Sequence, residues 1–398
     1  MKTDFRDPCF LRSHVKTLLG FYHPNVVDAT GGYFQNFLDN GEVFAPEKRH
    51  LVSSTRIVFN YCKAYQLFGD EQYKQRFLHG LDYLAEAHWE EKRQGYHWTL
   101  DHLGQDNCIA TDQTNYCYGL AFVVLAYASA LEAGCEQARV KLENAYQLME
   151  KHFWQPQQGI YADEASPDWS ELSPYRGQNA NMHACEALLA AYEATGESLY
   201  LERAYTLARQ FSVVLADKAG GLVWEHYDKH LELDWEYNKH DPKHIYKPWG
   251  FQSGHQTEWS KLLLILHSHR PEPWMLARAR TLFDRALAVA WDEINGGIVY
   301  GFDPEGAICD DDKYFWVQAE TMAAAARLAI ISGESGYWDW YDRIWQYCYK
   351  HLIDHNYGSW YRILTVDNKK YSEQKSIAGG KCDYHTIGAC WDILRALG

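Results

Sequence analysis

The chain has 398 residues, of which 47% are hydrophobic and 23% charged, and its formal net charge is -15 at pH 7. This composition is typical of a globular protein with a large core. The acidic balance and the lack of any long run of Lys and Arg argue against a nucleic-acid-binding surface. No apolar run approaches the ~20 residues of a membrane span. We therefore predict neither nucleic acid nor a membrane as a partner.

The start of the chain and its cysteines indicate a compartment. The sequence MKTDFRDPCFLRSHVK has charges where a signal peptide needs an apolar segment. The 10 cysteines are scattered, and Cys62, Cys185 and Cys348 lie inside apolar helical stretches. Such positions are typical of small buried side chains rather than of disulfides or metal ligands. We expect a cytoplasmic protein.

Six short segments repeat along the chain. Each has a glycine, then alternating aromatic and aliphatic residues, then a polar turn, as in GGYFQNFLDNG and GGIVYGFDPEG. Successive glycines are about 63 residues apart, except for one step that is roughly 13 residues longer. This pattern predicts six small β-hairpins. The anchor glycines are Gly32, Gly95, Gly159, Gly221, Gly297 and Gly358.

Two helical stretches separate successive hairpins. In the second unit, TNYCYGLAFVVLAYASALEAG is nearly all apolar, whereas CEQARVKLENAYQLMEKHFW is amphipathic. The first kind of helix must be buried on most sides, and the second kind covers it. Six such pairs predict an all-α (α/α)6 barrel with short β-hairpins gathered at one end. Because no Pro/Ser-rich linker interrupts the pattern, we expect a single domain over residues 1–398.

The longer step between Gly221 and Gly297 contains the polar, aromatic stretch LELDWEYNKHDPKHIYKPWGFQSG. A long loop inside a compact domain usually has a function. We predict that this one forms a lid or a pocket wall. It leads directly into SGHQTEWSKLLL, which reads as the start of an inner helix with an apolar face.

Polar residues recur at the starts of the inner helices, which the barrel points at a common cavity. A lone histidine on an apolar helix is usually a core residue, but several at equivalent repeat positions indicate a functional site. In chain order the set is Arg56, Tyr118, His183 with Glu186, His255 with Glu258, Trp316, Gln318 and Glu320, and His385.

Two kinds of chemistry fit these residues. The two H-x-x-E pairs could bind a metal, but they begin different helices of a wide ring, so we expect no metal and no other cofactor. Histidine accepts and donates protons near neutral pH, and a guanidinium can stabilise an enediolate. The residues therefore favour sugar isomerisation or epimerisation, with His255 as an acid/base and Glu258 as its electrostatic partner.

Four motifs, RGQNANMHACEALLAAYEATG, GHQTEW, WVQAE and DYHTIGA, resemble the N-acylglucosamine 2-epimerase superfamily. The resemblance spans essentially the whole chain. It implies an (α/α)6 barrel that needs no metal and moves the C2 proton of an aldose with paired histidines. The chain is most similar to the aldose–ketose isomerase branch, which interconverts D-mannose and D-fructose. The sequence HTIGAC lacks the Arg that 2-epimerases commonly carry soon after the terminal histidine, which favours the isomerase.

The resemblance also implies roles for residues. His385 matches the histidine that exchanges the C2 proton, His255 the second catalytic histidine, and Arg56 the arginine that holds the C1 and C2 oxygens. The remaining expected site residues are His183 and Glu258 in catalysis, Asn181 and Glu320 by resemblance in substrate binding, and Tyr118, Trp316 and Gln318 from the inner-helix set.

Three alternative functions stay open at this point. One is a sugar 2-epimerase of the mannose/glucose or N-acylglucosamine type. Another is an (α/α)6 glycoside hydrolase, whose two carboxylates would have to be Glu258 and Glu320. The third is a non-catalytic sugar-binding protein. We expect a monosaccharide ligand and a monomer or homodimer, while the range of sugars, including D-lyxose and D-xylulose, is left open.

Overall fold

The computed structural model describes residues 3–105 and 107–398. Its α-helices are α1 (Pro8–Tyr22), α2 (Leu51–Phe68), α3 (Glu71–Tyr83), α4 (Cys117–Glu132), α5 (Ala138–His152), α6 (Gln178–Thr195), α7 (Ser198–Arg209), α8 (Ala216–Lys218), α9 (Ser253–His269), α10 (Pro273–Ala290), α11 (Phe315–Ser332), α12 (Ser335–Tyr347) and α13 (Tyr384–Leu397). Short π-helical turns follow α3, α7 and α12, at Leu84–His88, Gln210–Leu215 and Cys348–Leu352.

Short strands lie between the helices. They are β1 (Phe37–Leu38), β2 (Lys48–His50), β3 (Trp89–Glu90), β4 (Gly95–Tyr96), β5 (Thr99–His102), β6 (Cys108–Asp112), β7 (Asn115–Tyr116), β8 (Trp154–Gln155), β9 (Ile160–Tyr161), β10 (Glu164–Ala165), β11 (Arg176–Gly177), β12 (His226–Tyr227), β13 (Phe251–Gln252), β14 (Gly301–Phe302), β15 (Ile308–Asp310), β16 (Lys313–Tyr314), β17 (Ile363–Leu364) and β18 (Gln374–Ser376).

The helices form two concentric rings. The inner ring is α2, α4, α6, α9, α11 and α13, in which each helix contacts the next and α13 contacts α2. Five outer helices, α3, α5, α7, α10 and α12, each cover the inner helix that precedes them in the chain. The sixth, α1, covers α13. This arrangement confirms the predicted (α/α)6 barrel.

Helix burial follows from the sequence pattern. Nearly every residue of α4 is buried, as its apolar composition requires. In α5 the buried side chains recur on one face, at Ala138, Leu142, Ala145 and Met149. A stripe at this spacing faces the inner ring and leaves the other side in solvent. The inner and outer roles of the two helix types are therefore confirmed.

The anchor glycines stand in turns that follow the outer helices. After α5, for example, Trp154 pairs with Tyr161 across the turn that contains Gly159. Gly297 shows why glycine is required: its φ is +82°, and an added Cβ would lie 2.5 Å from the ring of Tyr347.

A second set of strand pairs closes the ring at one end. Each strand that leads towards an inner helix pairs with the hairpin of the following unit, and the last such strand pairs with the first hairpin. The pairs are β2–β5, β7–β10, β11–β12, β13–β14, β16–β17 and β18–β1. All of them lie beside the N-terminal ends of inner helices, so the strands are gathered at one end of the barrel as predicted.

Two composition-based expectations can be compared with the structure. Cys62, Cys185 and Cys348 are buried free thiols, as their apolar surroundings predicted. Among the described helices, none combines the length and the apolar character that a membrane crossing requires.

Candidate active site

A central cavity of about 250 Å³ lies at the end of the barrel where the inner helices begin. Because the inner helices share one direction, their first turns converge there although they are far apart in the chain. Most of the predicted site residues line this cavity, namely Arg56, Tyr118, His183, His255, Glu258, Trp316 and His385.

The long segment before α9 forms one wall of the central cavity. Lys243, His244, Ile245, Tyr246 and Pro248 all line it, which confirms the predicted pocket wall. The His50 ring accepts the Val52 N–H at Nδ1 (3.1 Å), so its Nε2–H donates to the Tyr246 hydroxyl (3.0 Å). That hydroxyl in turn donates to the Gly379 carbonyl (3.0 Å). These bonds attach the wall to His50, which directly precedes α2, and to Gly379, which lies in the segment before α13.

Three histidines of the cavity share one arrangement. In each, Nδ1 contacts a carboxylate, which fixes the Nδ1–H tautomer and leaves Nε2 as the basic nitrogen. Burial lowers the pKa of His183, and burial together with the nearby charge of Arg56 lowers that of His385 well below its usual range, so both rings are neutral near pH 7. The pairs are His183–Glu186 (2.9 Å), His255–Glu225 (2.9 Å) and His385–Glu320 (2.7 Å).

The partner of His255 is not the one that the sequence predicted. Its Nδ1 lies 2.9 Å from Glu225, and Gln178 donates to the same carboxylate over 2.8 Å. Glu258, one turn deeper on α9, instead lies 4.0 Å from Nδ1 of His183. Glu225 precedes β12 in the hairpin of the preceding unit. The sequence pointed to Glu225 only indirectly, through the expectation that each hairpin packs beside the next inner helix.

The carboxylates are also closer together than the sequence predicted. Ligand atoms of His183, Glu186 and Glu258 lie within 4.8 Å of one another, and so do those of Glu258, Glu320 and His385. The premise that the H-x-x-E pairs are spread around a wide ring was therefore wrong. The six helices converge so tightly at this end that side chains from α6, α9, α11 and α13 share one small volume.

Lys261 supplies a positive charge to this cluster, and the sequence analysis missed it. Its ammonium donates to Glu320 and lies 3.8 Å from Glu186. Burial alone would raise the pKa of Glu186, but the hydrogen bond from His183 and the Lys261 charge lower it below the ordinary value. Glu186 is thus an anion that accepts a hydrogen bond from His183 and lies near the Lys261 ammonium.

Glu258 has the opposite environment. The side chain is fully buried, and neither oxygen accepts a hydrogen bond from any described residue. Burial, together with the charge of Glu320, raises its pKa well above the usual range. This carboxyl therefore favours its neutral form more than an ordinary glutamate does, and it faces the cavity.

Arg56 is held by aromatic rings and by one phenol. Its guanidinium lies 4.4 Å from the centre of the Phe122 ring and 4.8 Å from that of Tyr384. It donates to the hydroxyl of Tyr118 over 3.0 Å. A second donation, to the Gly380 carbonyl, spans 3.4 Å. The cation–π contacts and these two hydrogen bonds leave other N–H groups available for the oxygens of a ligand.

Trp316 provides a flat face between two of the basic groups. The centre of its ring lies 5.1 Å from that of His255 and 5.6 Å from that of His385. A sugar that stacks its C–H face on such a ring would lie between the two imidazoles.

Three residues predicted to bind substrate do not line the cavity. The Asn181 amide accepts the Tyr161 N–H (2.7 Å) and donates to the Tyr161 carbonyl (3.0 Å). Gln318 makes the same two bonds to Ile298, over 3.0 and 2.8 Å. Both amides are therefore consumed in fastening a hairpin to an inner helix. Glu320 lies behind His385 and contacts that ring rather than the cavity.

The fold and these side chains define a class: an (α/α)6-barrel protein with a buried acid/base site of histidine–carboxylate pairs and one arginine. A model of the N-acylglucosamine 2-epimerase (GlcNAc 2-epimerase) family matches residues 32–389. The chain belongs to the N-acylglucosamine 2-epimerase family.

Individual relatives show which members of the family the chain resembles. A D-mannose isomerase from Marinomonas mediterranea is 49% identical over 394 residues, which cover 99% of this chain and 98% of that protein. The crystal structure of a D-mannose isomerase superposes with a TM-score of 0.96 at 48% identity and covers 99% of this chain and 100% of that one. A cellobiose 2-epimerase from Bacillus thermoamylovorans has a TM-score of 0.86 at 20% identity over 98% of this chain and 100% of that one, which shows the shared fold alone.

Proposed function

We propose that the chain is an aldose–ketose isomerase that interconverts D-mannose and D-fructose, with residues 1–398 acting as one catalytic domain. The observation that carries the proposal is the neutral imidazole of His385, which contacts Glu320 on one side and shares a small cavity with the Arg56 guanidinium on the other. The 49% identity to a D-mannose isomerase over nearly the whole chain supports the choice of sugar.

In the proposed reaction, His255 helps to open the pyranose ring. Nε2 of His385 then removes the C2 proton of the open-chain aldose, and the C2–H electron pair forms the C1=C2 bond of an enediolate. The carbonyl electrons move to O1, which Arg56 stabilises by donated hydrogen bonds. Transfer of the O2 proton to O1 and return of a proton to C1 complete the ketose.

Two alternative functions explain the site less well. A glycoside hydrolase needs two carboxyl groups that face the scissile bond, whereas Glu320 faces His385 and Lys261. A protein that only binds sugars would have no use for three histidine–carboxylate pairs. The 2-epimerase alternative shares the enediolate and differs in returning the proton to C2, so product identity decides it.

The substitution His385→Asn tests the assignment of the base. Asparagine keeps polarity but cannot accept the C2 proton, so we expect kcat for fructose formation to fall at least about 100-fold. Exchange of C2 deuterium from heavy water should fall equally. The exposed His230→Asn serves as a matched control and should keep wild-type rates.

The measurements are product chromatography and the ¹H spectrum of mannose in D₂O. Continued C2 exchange by His385→Asn would move the base assignment to His255. Glucose as the main wild-type product from mannose would replace the isomerase by a 2-epimerase.

We also propose that no metal takes part, although histidine and carboxylate atoms lie close enough to bind one. The Lys261 ammonium already donates to Glu320 and compensates the charge of this cluster, so a divalent ion would meet repulsion. Exhaustive treatment with EDTA should leave kcat and KM for mannose unchanged. Loss of activity that one divalent ion restores would reverse the assignment of His183 and His255 as acid/base residues.

The proposed ligand is one free monosaccharide. The cysteines are free thiols, as a reducing compartment requires, and this supports a cytoplasmic location. Whether the chain acts as a monomer or a homodimer is a question for light scattering of the purified protein.

A further inference from the structure

A second chamber of about 310 Å³ lies beside the central cavity. Tyr118, Asn179, His244 and Tyr246 line both spaces and therefore form a partition between them. The three paired histidines line only the central cavity, so the second chamber has none of the proposed acid/base groups.

The second chamber presents two pairs of aromatic rings. The ring centres of Trp98 and Tyr116 are 4.3 Å apart, and those of Tyr175 and Tyr237 are 4.6 Å apart. The two pairs come from different units of the barrel. Rings of this kind offer flat faces for the C–H side of a pyranose, and their phenols add hydrogen bonds.

Hydrogen-bond donors and acceptors complete the lining of the second chamber. Asp163 accepts the Gly177 N–H over 2.7 Å, and burial raises its pKa to about 8, so this carboxyl can donate as well as accept near neutral pH. The Asn179 amide donates to the Tyr246 carbonyl (3.3 Å), while its own oxygen is buried without a partner among the described residues. Hydroxyl groups, which donate and accept, match such a set.

The charges argue against an anion as the occupant. Lys247 is the cation that lines the second chamber, and it is already paired with Glu164. Its ammonium also lies 4.3 Å from the centre of the Tyr175 ring. With Asp163 and Glu164 both present, a neutral polyol is better matched than a phosphate or a carboxylate.

We propose that the second chamber binds a free hexose that does not react, beside the hexose in the central cavity. This inference rests on the proposed function, because it takes the ligand to be the substrate sugar. The partition links the two sites: the Tyr118 ring lies 6.0 Å from that of Tyr246, and its hydroxyl accepts from Arg56. An occupant that displaces Tyr118 would therefore alter the position of the arginine.

Fluorine NMR can observe the two spaces separately. Trp98 lines the second chamber and Trp316 the central cavity, so protein labelled with 5-fluorotryptophan carries one reporter in each. Trp98→Phe and Trp316→Phe assign the two resonances. The probe is 1,5-anhydro-D-mannitol, which has no anomeric carbon and cannot be isomerised. Both resonances should shift during the titration, each with its own midpoint.

Tyr237→Ala tests whether the Trp98 shift arises in the second chamber. Loss of the Tyr237 ring should raise the midpoint of the Trp98 shift about tenfold and leave that of Trp316 in place. Tyr357→Ala, an exposed tyrosine that lines neither space, should change neither midpoint. The second site would be overturned if the Trp98 resonance did not shift during the titration. It would also be overturned if the Trp98 and Trp316 resonances shifted with the same midpoint in both wild type and Tyr237→Ala.

The same preparation is assayed for fructose formation from mannose. A chain that forms fructose but shows no separate Trp98 response loses only the second site. A chain that forms no fructose loses the proposed function, whatever the Trp98 resonance does.

Discussion

Glu258 differs in its hydrogen bonding from the two carboxylates that surround it. Glu186 and Glu320 each contact a histidine and Lys261, whereas the oxygens of Glu258 accept no hydrogen bond within the described part of the chain. A carboxyl that is neutral can act as a hydrogen-bond donor to a sugar hydroxyl. The side-chain amide of a glutamine at position 258 can also donate a hydrogen bond to a sugar hydroxyl.

We therefore expect Glu258→Gln to keep kcat/KM for mannose within about tenfold of wild type. Glu320→Gln is the contrasting variant, because it removes the anion that orients and stabilises His385, and it should lower kcat at least about 100-fold. Steady-state kinetics of the two purified variants make the comparison. Equal losses in both would show that Glu258 works as an anion.

At the scale of the element, amide side chains connect hairpins to inner helices. Asn181 on α6, Gln256 on α9 and Gln318 on α11 each accept the N–H and donate to the C=O of one hairpin residue. The repeat thus places two kinds of polar side chain at the start of an inner helix: those that line the cavity and those that attach a hairpin to the helix. The sequence named Asn181 and Gln318 as candidates but not Gln256. It could not separate the two roles, since both place a polar side chain at the start of an inner helix.

Gln318→Ala tests the mechanical role. The buried N–H and C=O of Ile298 would lose their partners, so we expect the free energy of unfolding to fall by about 2–4 kcal/mol. The KM for mannose should stay near that of wild type, because Gln318 does not line the cavity. Urea denaturation and kinetics measure the two effects, and the exposed Gln75→Ala is the control. An unchanged stability with a raised KM would restore the substrate-binding role that the sequence predicted.

At the scale of the whole molecule, several buried histidines make the fold sensitive to acid. Burial lowers the pKa of His50 to about 3 and those of His14, His88 and His226 to about 4. In the unfolded chain histidines titrate near 6.5. Below about pH 6.5 these histidines therefore bind protons in the unfolded chain but not in the folded chain. The free energy of unfolding falls as the pH falls.

His88→Gln isolates one such contribution. Between about pH 6.5 and pH 5, the variant should lose about 2 kcal/mol less unfolding free energy than wild type, because glutamine does not titrate. Urea denaturation at the two pH values gives the difference. The exposed His230→Gln should lose as much as wild type. Parallel losses for His88→Gln and wild type would contradict the assignment.

The repeat explains how much of this molecule the sequence could predict. Glycines at a nearly constant spacing, with one apolar and one amphipathic helix between them, led to the barrel and to the faces of α4 and α5. They also led to the residues that begin the inner helices. What the pattern could not give was which side chains from different helices meet. The His255–Glu225 and Lys261–Glu320 contacts depend on how tightly six helices converge.

The closure of the inner ring by α13 has a consequence for synthesis on the ribosome. His385 stands on α13, the last inner helix to be translated, and α13 must dock between α11 and α2. Until then α1 lacks α13, the inner helix that it covers, and β1 has no β18 to pair with. With His385 as the proposed base, a nascent chain that has all its other inner helices still lacks the group that removes the C2 proton. On this proposal we expect isomerisation to begin only when the ring closes, and a chain truncated before α13 should form no fructose from mannose.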